Sequence, residues 1–475
     1  MKKSIIKDIL TVNIFSITNK IIMFLFILII SRNLGSKTLG QYTTANTILI
    51  FILMLIAFGS DMLLKRTVSR NRENAPKYFL NTFIVKLFIY INICLVFYLF
   101  RNYFPFDKTT NYLAIIFIFM SIFKSILTQI SVIYQAYERF FLDSFNIFMI
   151  SLTTLFVSWF IINKNQGIVN IVYGIFVINI IALIINILII NIKFFKVNSK
   201  KYISKKLMKK IFIMASPFFV ANVLGIIYHR IDILMLAQMK GEEIVGYYSA
   251  GYKLYEALLF IPVSVGTVFF PKLVKLIRDN YKDKAMRYSS SILYFLTFVV
   301  MPICIGTTIF SEEIIKILFG KAFVTTALSL QILIWGLIIH SFNNILGRII
   351  YAIDKEKFFI KISLASMLVN VVLNLILIPK YSLYGASIAT IVSFVVSFCL
   401  HYYCVSNNIE IKKIFSTGQL RKLFSITILF LLSCLIIKQA YLNIFLSVSI
   451  LVFIYGGLLI IFNVINKKVL LHYLY

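Results

Sequence analysis

The sequence has 475 residues, 60% of them hydrophobic and only 14% charged. That is too apolar, and too poor in charge, for a water-facing surface, so the composition excludes a soluble protein and points to a polytopic membrane protein. The net charge of +31 lies in connections between apolar runs, which fits positively charged cytoplasmic loops facing anionic headgroups and excludes nucleic acid as partner.

A spanning helix needs about 20 mostly apolar residues. Six such runs occur near 11–31, 43–64, 79–100, 112–134, 140–162 and 168–192. Six more follow near 211–236, 245–270, 288–310, 325–351, 358–378 and 384–403, and a last pair near 423–440 and 442–464 brings the crossings to fourteen. The expected organisation is an N-terminal six-helix lobe (1–192), a basic cytoplasmic linker (193–210), a C-terminal six-helix lobe (211–404), and a cytoplasmic loop with two additional transmembrane helices (405–475). Asp8 and Lys20 interrupt the first apolar run and no small-residue cleavage site follows, so it is read as a retained helix.

Most of the Lys and Arg falls at the N-terminus and in every second loop, which places both termini in the cytoplasm. No connection is long enough for a catalytic domain, and Gly320-Lys321 lacks the upstream glycine and following hydroxyl of a phosphate-binding loop. Cys94, Cys304, Cys399, Cys404 and Cys434 lie in or beside apolar runs and suggest neither disulfide framework nor metal site. Neither a metal nor a resident cofactor is expected.

An internal repeat underlies this plan. Shifted by 206 positions, Leu39-Gly40-Gln41-Tyr42-Thr43-Thr44-Ala45 falls on Val245-Gly246-Tyr247-Tyr248-Ser249-Ala250-Gly251. At the larger offset of 217, Tyr134-Gln135-Ala136-Tyr137-Glu138-Arg139-Phe140-Phe141 resembles Tyr351-Ala352-Ile353-Asp354-Lys355-Glu356-Lys357-Phe358-Phe359, with one residue inserted. Two matches in the same order argue for related halves, and an even number of helices in each makes them parallel repeats.

Charges inside spans are rare and face a bundle interior or a water-filled cavity. Lys20, Lys86, Lys124, Arg230, Lys253 and Arg348 stand against Asp61, Asp232 and Glu256. A mid-membrane cation costs roughly 2.5 to 3.5 kcal/mol even on the lenient insertion scale, so Lys20, Lys124 and Arg230 are read as cavity-lining. Polar residues recur at helical spacing in Asn13/Ser16/Lys20, Ser121/Lys124/Thr128/Gln135, His340/Asn344/Arg348/Tyr351 and Ser363/Ser366/Asn370/Asn374. The Ser and Asn members are read as interhelical hydrogen-bonding groups. Lys253 and Glu256, three apart, either neutralise each other or contact a ligand, and Arg230 and Asp232 pose the same alternative. Asp61 and Lys65 are expected to form an interfacial pair. The excess of cations favours a phosphate or carboxylate substrate over a cationic drug. Pro217, Pro262 and Pro302 fall inside predicted helices, whereas Pro76 and Pro105 fall in loops, so the second half is expected to supply the moving helices.

Four stretches carry a family resemblance: Arg32 to Tyr42 (RNLGSKTLGQY), Asp232-Ile-Leu-Met-Leu236 with Val245 to Ala250 (VGYYSA), Phe269-Phe-Pro271, and Leu375 to Thr390 (LILIPKYSLYGASIAT). Together they resemble the polysaccharide transporter family, the lipid-linked oligosaccharide flippases of the multidrug/oligosaccharidyl-lipid/polysaccharide exporter superfamily. The resemblance implies an all-α fold of two six-helix lobes forming a V-shaped bundle that alternates between inward-open and outward-open states. Its implied substrate is an undecaprenyl diphosphate-linked oligosaccharide, moved across the bacterial cytoplasmic membrane for O-antigen or capsular polysaccharide, with membrane lipids, a polysaccharide polymerase and a chain-length regulator as partners. The matching basic positions are Lys20, Arg32, Arg230 and Lys253. Asp232, Glu256 and Asp61 are the candidates for H⁺ or Na⁺ coupling.

Three rivals stand beside this reading. A cation-coupled multidrug exporter would concentrate buried carboxylates in the first lobe, where Asp61 is the one candidate. A lipid II flippase would share the helix plan and differ in the sugar. A membrane polysaccharide polymerase, an enzyme, would need a sizeable outer loop or positioned catalytic groups.

Overall fold

A computed structural model of the chain describes residues 2–100, 105–196, 202–355, 357–407, 417–440, 443–462 and 464, with side chains from 12 onward and, in the last helix pair, from 421 onward. Parts of the predicted basic linker (197–201), of the loop at 405–420 (408–416) and of the C-terminus (465–475) lie outside the described residues. The chain folds into α1 (Lys2–Ala57), α2 (Ser60–Arg70), α3 (Ala75–Phe100), α4 (Lys108–Ala136), α5 (Phe140–Asn163), α6 (Ile168–Lys193), α7 (Lys205–Lys240), α8 (Glu242–Leu258), α9 (Phe260–Arg278), α10 (Lys282–Ile309), α11 (Ser311–Leu318), α12 (Thr326–Ile334), α13 (Gly336–Ala352), α14 (Lys357–Ser406), α15 (Thr417–Gln439) and α16 (Ile444–Ile461), with no strand among the described residues.

Among the described residues, twelve helical stretches are long and apolar enough to cross a membrane. Two of them, Val12–Ala57 (46 residues) and Lys357–Ser406 (50 residues), are about twice the length a crossing needs. Each contains one non-helical residue, Gly35 (φ 81°, ψ 178°) in α1 and Ser382 (φ 54°, ψ −131°) in α14. Both fall between predicted spans, so the fourteen crossings expected from hydropathy are present and the protein is an all-α multi-pass membrane protein.

Three spans expected as single helices are interrupted. The second breaks at Phe58 and Gly59 (φ 43° and 70°) before resuming as α2. There the Phe58 ring stacks on Phe212 and Phe219 of α7, at centroid distances of 4.2 and 4.4 Å. A Cβ on Gly59 would stand 2.5 Å from the Ala215 carbonyl oxygen, so the glycine permits both the left-handed turn and the close approach. The eighth span divides at Leu259 into α8 and α9, and the tenth at Trp335 into α12 and α13. Pro262, expected inside a continuous helix, therefore sits in the first turn of α9, where a missing N–H leaves no acceptor unsatisfied. Pro76, expected in a loop, likewise opens α3, whereas Pro217 and Pro302 are interior to α7 and α10.

The chain forms two compact units, Met1–Ser249 and Ala250–Tyr475. In the first, Leu64, Val68, Phe79, Ile130, Ile133, Tyr134 and Ile190 pack α2, α3, α4 and α6 together. In the second, Phe269, Leu273, Met286, Leu296, Ile345, Ile349 and Ile362 join α9, α10, α13 and α14. The final pair docks on α10: Phe430, Cys434 and Leu451 close around Ile305 and Phe310. Lys438 Nζ donates to the Ile309 carbonyl (2.6 Å), placing a cation on the last turn of α10, where the helix dipole favours one.

The repeat is written in the backbone as well as the sequence. Gly35 and Gly241, again 206 apart, have nearly the same conformation (φ 81°, ψ 178° against φ 85°, ψ 169°) and precede α-helical turns that start at Ser36 and Glu242. Those turns meet within the first unit. A Cβ on Gly40 would lie 1.6 Å from the Glu242 carbonyl oxygen, and one on Gly246 would lie 1.9 Å from that of Ser36. Since Gly40 pairs with Gly246 and Ser36 with Glu242 in the repeat, this is one reciprocal contact seen from both sides. The second match is also structural. After Ala136 and Ala352 the chain passes through a helix cap to a left-handed residue, Glu138 (φ 61°) and Asp354 (φ 57°). Arg139 N–H then closes on Tyr134 O (2.8 Å) as Lys355 N–H closes on Ile350 O (3.0 Å). The geometric partner of Tyr134 is thus Ile350, one register before the Tyr351 that the sequence match selects.

Candidate functional site: charges on the spanning helices

The expected cations fall into two groups. Lys86 on α3, with its side chain fully buried, donates to Asp61 Oδ1 of α2 (2.6 Å) and to the Ser125 carbonyl of α4 (3.1 Å). Lys253 and Glu256 of α8 are bonded at 2.6 Å, one of the two arrangements their spacing allows. By contrast, Lys124, half-buried on α4, and Lys20, exposed on α1, make no hydrogen bond or ion pair through their side chains among the described residues. Arg32 is exposed, three residues before the bend at Gly35.

Asp61 corrects an expectation, because its partner is Lys86 and not Lys65. Helical spacing alone pairs Asp61 with Lys65, but the fully buried ammonium of Lys86 has the greater need of a counter-charge. Lys65 instead donates to Gln135 Oε1 (2.8 Å). Gln135 Nε2 passes the chain of bonds to Asp143 Oδ2 (2.8 Å), and the Ser131 hydroxyl donates to Asp143 Oδ1. Asp143, 6% exposed, is a buried carboxylate of the first unit that the sequence reading missed. Its signal was an acid in the first turn of an apolar helix, close in sequence to the Ser131/Gln135 stripe of α4.

Asp232 on α7 is buried at 4% exposure. It accepts the Tyr248 hydroxyl and its neighbour's Ile233 N–H (2.9 Å), and it feels the charge of half-buried Arg230. The repeat gives this pair a counterpart, since Phe26 and Tyr42 occupy the corresponding positions and pack edge to face with centroids 5.4 Å apart. The same frame thus holds two rings in one repeat and a carboxylate with a phenol in the other.

A polar cluster surrounds the reciprocal glycine contact. Asp107, in the connection ahead of α4, accepts Thr110 N–H (2.6 Å) as its N-cap and Gln41 Nε2 (2.6 Å), while its own N–H donates to Glu242 Oε1 (3.0 Å). Partial burial pushes the Asp107 carboxyl up, but these donated hydrogen bonds and the charge of Lys37 outweigh it and hold the group below its ordinary value. Sequence alone offered no reason to bring Gln41, Asp107 and Glu242 together.

Residues 5–277 match the family described as "Polysaccharide biosynthesis protein". The chain belongs to that family. Residues 217–376 also match the MatE family. Among relatives, the probable low-salt glycan biosynthesis flippase Agl15 of Haloferax volcanii is 26% identical over 193 residues, 41% of each chain. The capsular polysaccharide biosynthesis protein CapF of Staphylococcus aureus is 31% identical over 196 residues, 41% of this chain and 49% of that one. A putative O-antigen transporter of Shigella flexneri is 26% identical over 185 residues, 39% of this chain and 44% of that one. Each match covers less than half of the relative's length. Among solved structures, a lipid II flippase MurJ in an inward closed conformation superposes with TM-score 0.78 at 18% identity, covering 95% of this chain and 97% of that one. A multidrug resistance MATE family transporter in an inward-facing conformation gives TM-score 0.63 at 13% identity, covering 83% and 95%. The polysaccharide biosynthesis protein family and the MurJ/MATE-like fold agree with the helix plan read from hydropathy.

Proposed function

We propose that the protein is a flippase that moves an undecaprenyl diphosphate-linked oligosaccharide from the inner to the outer leaflet of the bacterial cytoplasmic membrane by alternating access, for O-antigen or capsular polysaccharide synthesis. Lys124 is the observation that carries this reading: it is an ammonium in the middle of a spanning helix, and no acid pairs with it among the described residues. A cation kept there costs free energy unless something anionic visits it. A diphosphate cannot cross hydrocarbon bare, and charge-assisted hydrogen bonds from Lys20, Arg32, Lys124, Arg230 and Lys253 would replace its hydration during passage. The polyprenyl tail stays in the bilayer throughout.

Both termini are cytoplasmic in this reading, which follows the Lys and Arg bias of alternate loops. The contact between Gly40 and Gly246 then lies on the outer side, where it must open for release. Asp232, Glu256 and Asp61 are the proposed groups for H⁺ or Na⁺ coupling, and no resident cofactor is invoked. A polymerase and a chain-length regulator would receive the product. Translocation of labelled undecaprenyl diphosphate-linked oligosaccharide into liposomes tests the proposal: Lys20→Ala and Lys124→Ala should each slow it about tenfold or more while the variants unfold at the wild-type temperature. Normal transport by both variants, together with Arg230→Ala and Lys253→Ala, would remove the cationic path.

A further inference from the structure

Arg348 is the intramembrane cation that the site above does not use. It lies on α13, four residues before its end at Ala352, and faces α9. Its Nε donates to Asn344 Oδ1 (3.1 Å), and its Nη2 donates to Thr267 Oγ1 (3.2 Å). The guanidinium carbon stands 5.7 Å from the centroid of the Phe270 ring. Space for this arrangement comes from Gly266: a Cβ there would be 2.1 Å from Asn344 Oδ1 and 2.5 Å from Arg348 Nε. Gly266, Thr267 and Phe270 share one face of α9, so a notch, a hydroxyl and a ring meet the guanidinium together.

Every one of these partners is neutral. Lys86 has Asp61 and Lys253 has Glu256, but no carboxylate pairs with Arg348 among the described residues. A guanidinium has five N–H donors in a fixed fork and cannot shed its charge. Two donors are engaged by Asn344 and Thr267, which fix the fork without neutralising it. We propose that Arg348, oriented by Asn344 and Thr267 in the Gly266 notch, is a seat for the phosphate group of a lipid at the ends of α9 and α13. Arginine suits this chemistry because its paired N–H groups match two phosphate oxygens at once. The inference rests on the topology proposed above, which places these helix ends at the inner leaflet, where a lipid-linked diphosphate would be loaded. A phospholipid headgroup carries the same chemistry.

The full chain in nanodiscs, titrated with undecaprenyl diphosphate and separately with phosphatidylglycerol, tests the seat and tells the two sources apart. Arg348→Gln should weaken phosphate-lipid binding about 10- to 100-fold, with Arg348→Lys intermediate because it keeps charge and loses the fork. Gly266→Ala displaces the flexible ends of Asn344 and Arg348 without removing charge, and should weaken binding in the same direction. A loss confined to undecaprenyl diphosphate makes the seat a substrate site, and a loss shared with phosphatidylglycerol makes it a general lipid-phosphate site. Wild-type protein that ignores undecaprenyl diphosphate yet binds phosphatidylglycerol through Arg348 would sink the substrate reading and leave the seat standing. Wild-type affinity for both lipids in folded Arg348→Gln and Gly266→Ala proteins, or an Arg348→Gln effect on melting temperature alone, overturns the proposal.

Discussion

Replacing Gly40 or Gly246 by alanine should break the reciprocal contact between α1 and α8. The added Cβ atoms would stand 1.6 Å from the Glu242 oxygen and 1.9 Å from the Ser36 oxygen. A carbon–oxygen contact relaxes near 3.3 Å, so the helices must separate by roughly 1.5 Å, and backbone atoms on both sides leave no side chain to rotate away. Overpacking of this kind costs about 1 to 3 kcal/mol, which lowers the population of the closed contact about 5- to 150-fold. Because both glycines serve one contact, the double variant should cost less than the sum of the two, since helices already parted by one methyl accept the second. Hydrogen exchange in the segments 36–45 and 242–250 should accelerate, and liposome translocation should fall as the outer closure fails to re-form. Wild-type exchange and wild-type transport in both single variants would refute the reasoning.

Other consequences follow from the same bonds. Asp61→Asn leaves the buried Lys86 ammonium without its acid and should cost about 3 to 5 kcal/mol, whereas the apolar pair Asp61→Leu with Lys86→Met should recover most of it in thermal unfolding. If that double variant folds and still transports under a cation gradient, Asp61 is a structural partner and not a coupling site. Asp107→Ala removes an N-cap and should destabilise the start of α4 by about 1 kcal/mol, read as faster exchange at 108–111. The pH dependence has a definite sign. Asp107 has a depressed pKa in the fold, so its contribution is present above the ordinary carboxylate value and is lost as pH falls through the lower folded one. Exchange at 108–111 should therefore be unchanged by Asp107 titration between pH 7 and pH 5, and a transition in that window would mean that the Gln41 and Thr110 bonds are absent in the membrane.

Hydropathy and charge bias made the fourteen spans legible because hydrocarbon imposes a length and a composition on every crossing. The breaks at Phe58–Gly59, Leu259 and Trp335 were not legible. They interrupt apolar runs of normal length, and at Phe58 the break is accompanied by tertiary contacts, the stacking of its ring on Phe212 and Phe219. Pairing of charges was legible only within a helix. Lys253 with Glu256 follows from spacing, but Lys86 with Asp61 joins helices whose rotation the sequence does not state. Asp143 was overlooked for the same reason, since its partners lie on α4.

The repeat separates what the scaffold requires from what its chemistry adds. Gly35 with Gly241 and Gly40 with Gly246 are kept in both halves because backbone geometry demands them. At the next layer the halves part: Phe26 against Tyr42 is a ring contact, and Asp232 against Tyr248 is a carboxylate held by a phenol. A second ring at position 232 would satisfy the same packing, as Phe26 does. The buried acid is therefore a cost that packing does not explain, and it lies two residues from Arg230. Asp232→Asn keeps the shape and the Tyr248 bond but removes the charge. It should leave folding near wild type and change the gradient dependence of translocation if Asp232 takes part in coupling. An unchanged gradient dependence would assign the acid to holding Arg230 and Tyr248 in place.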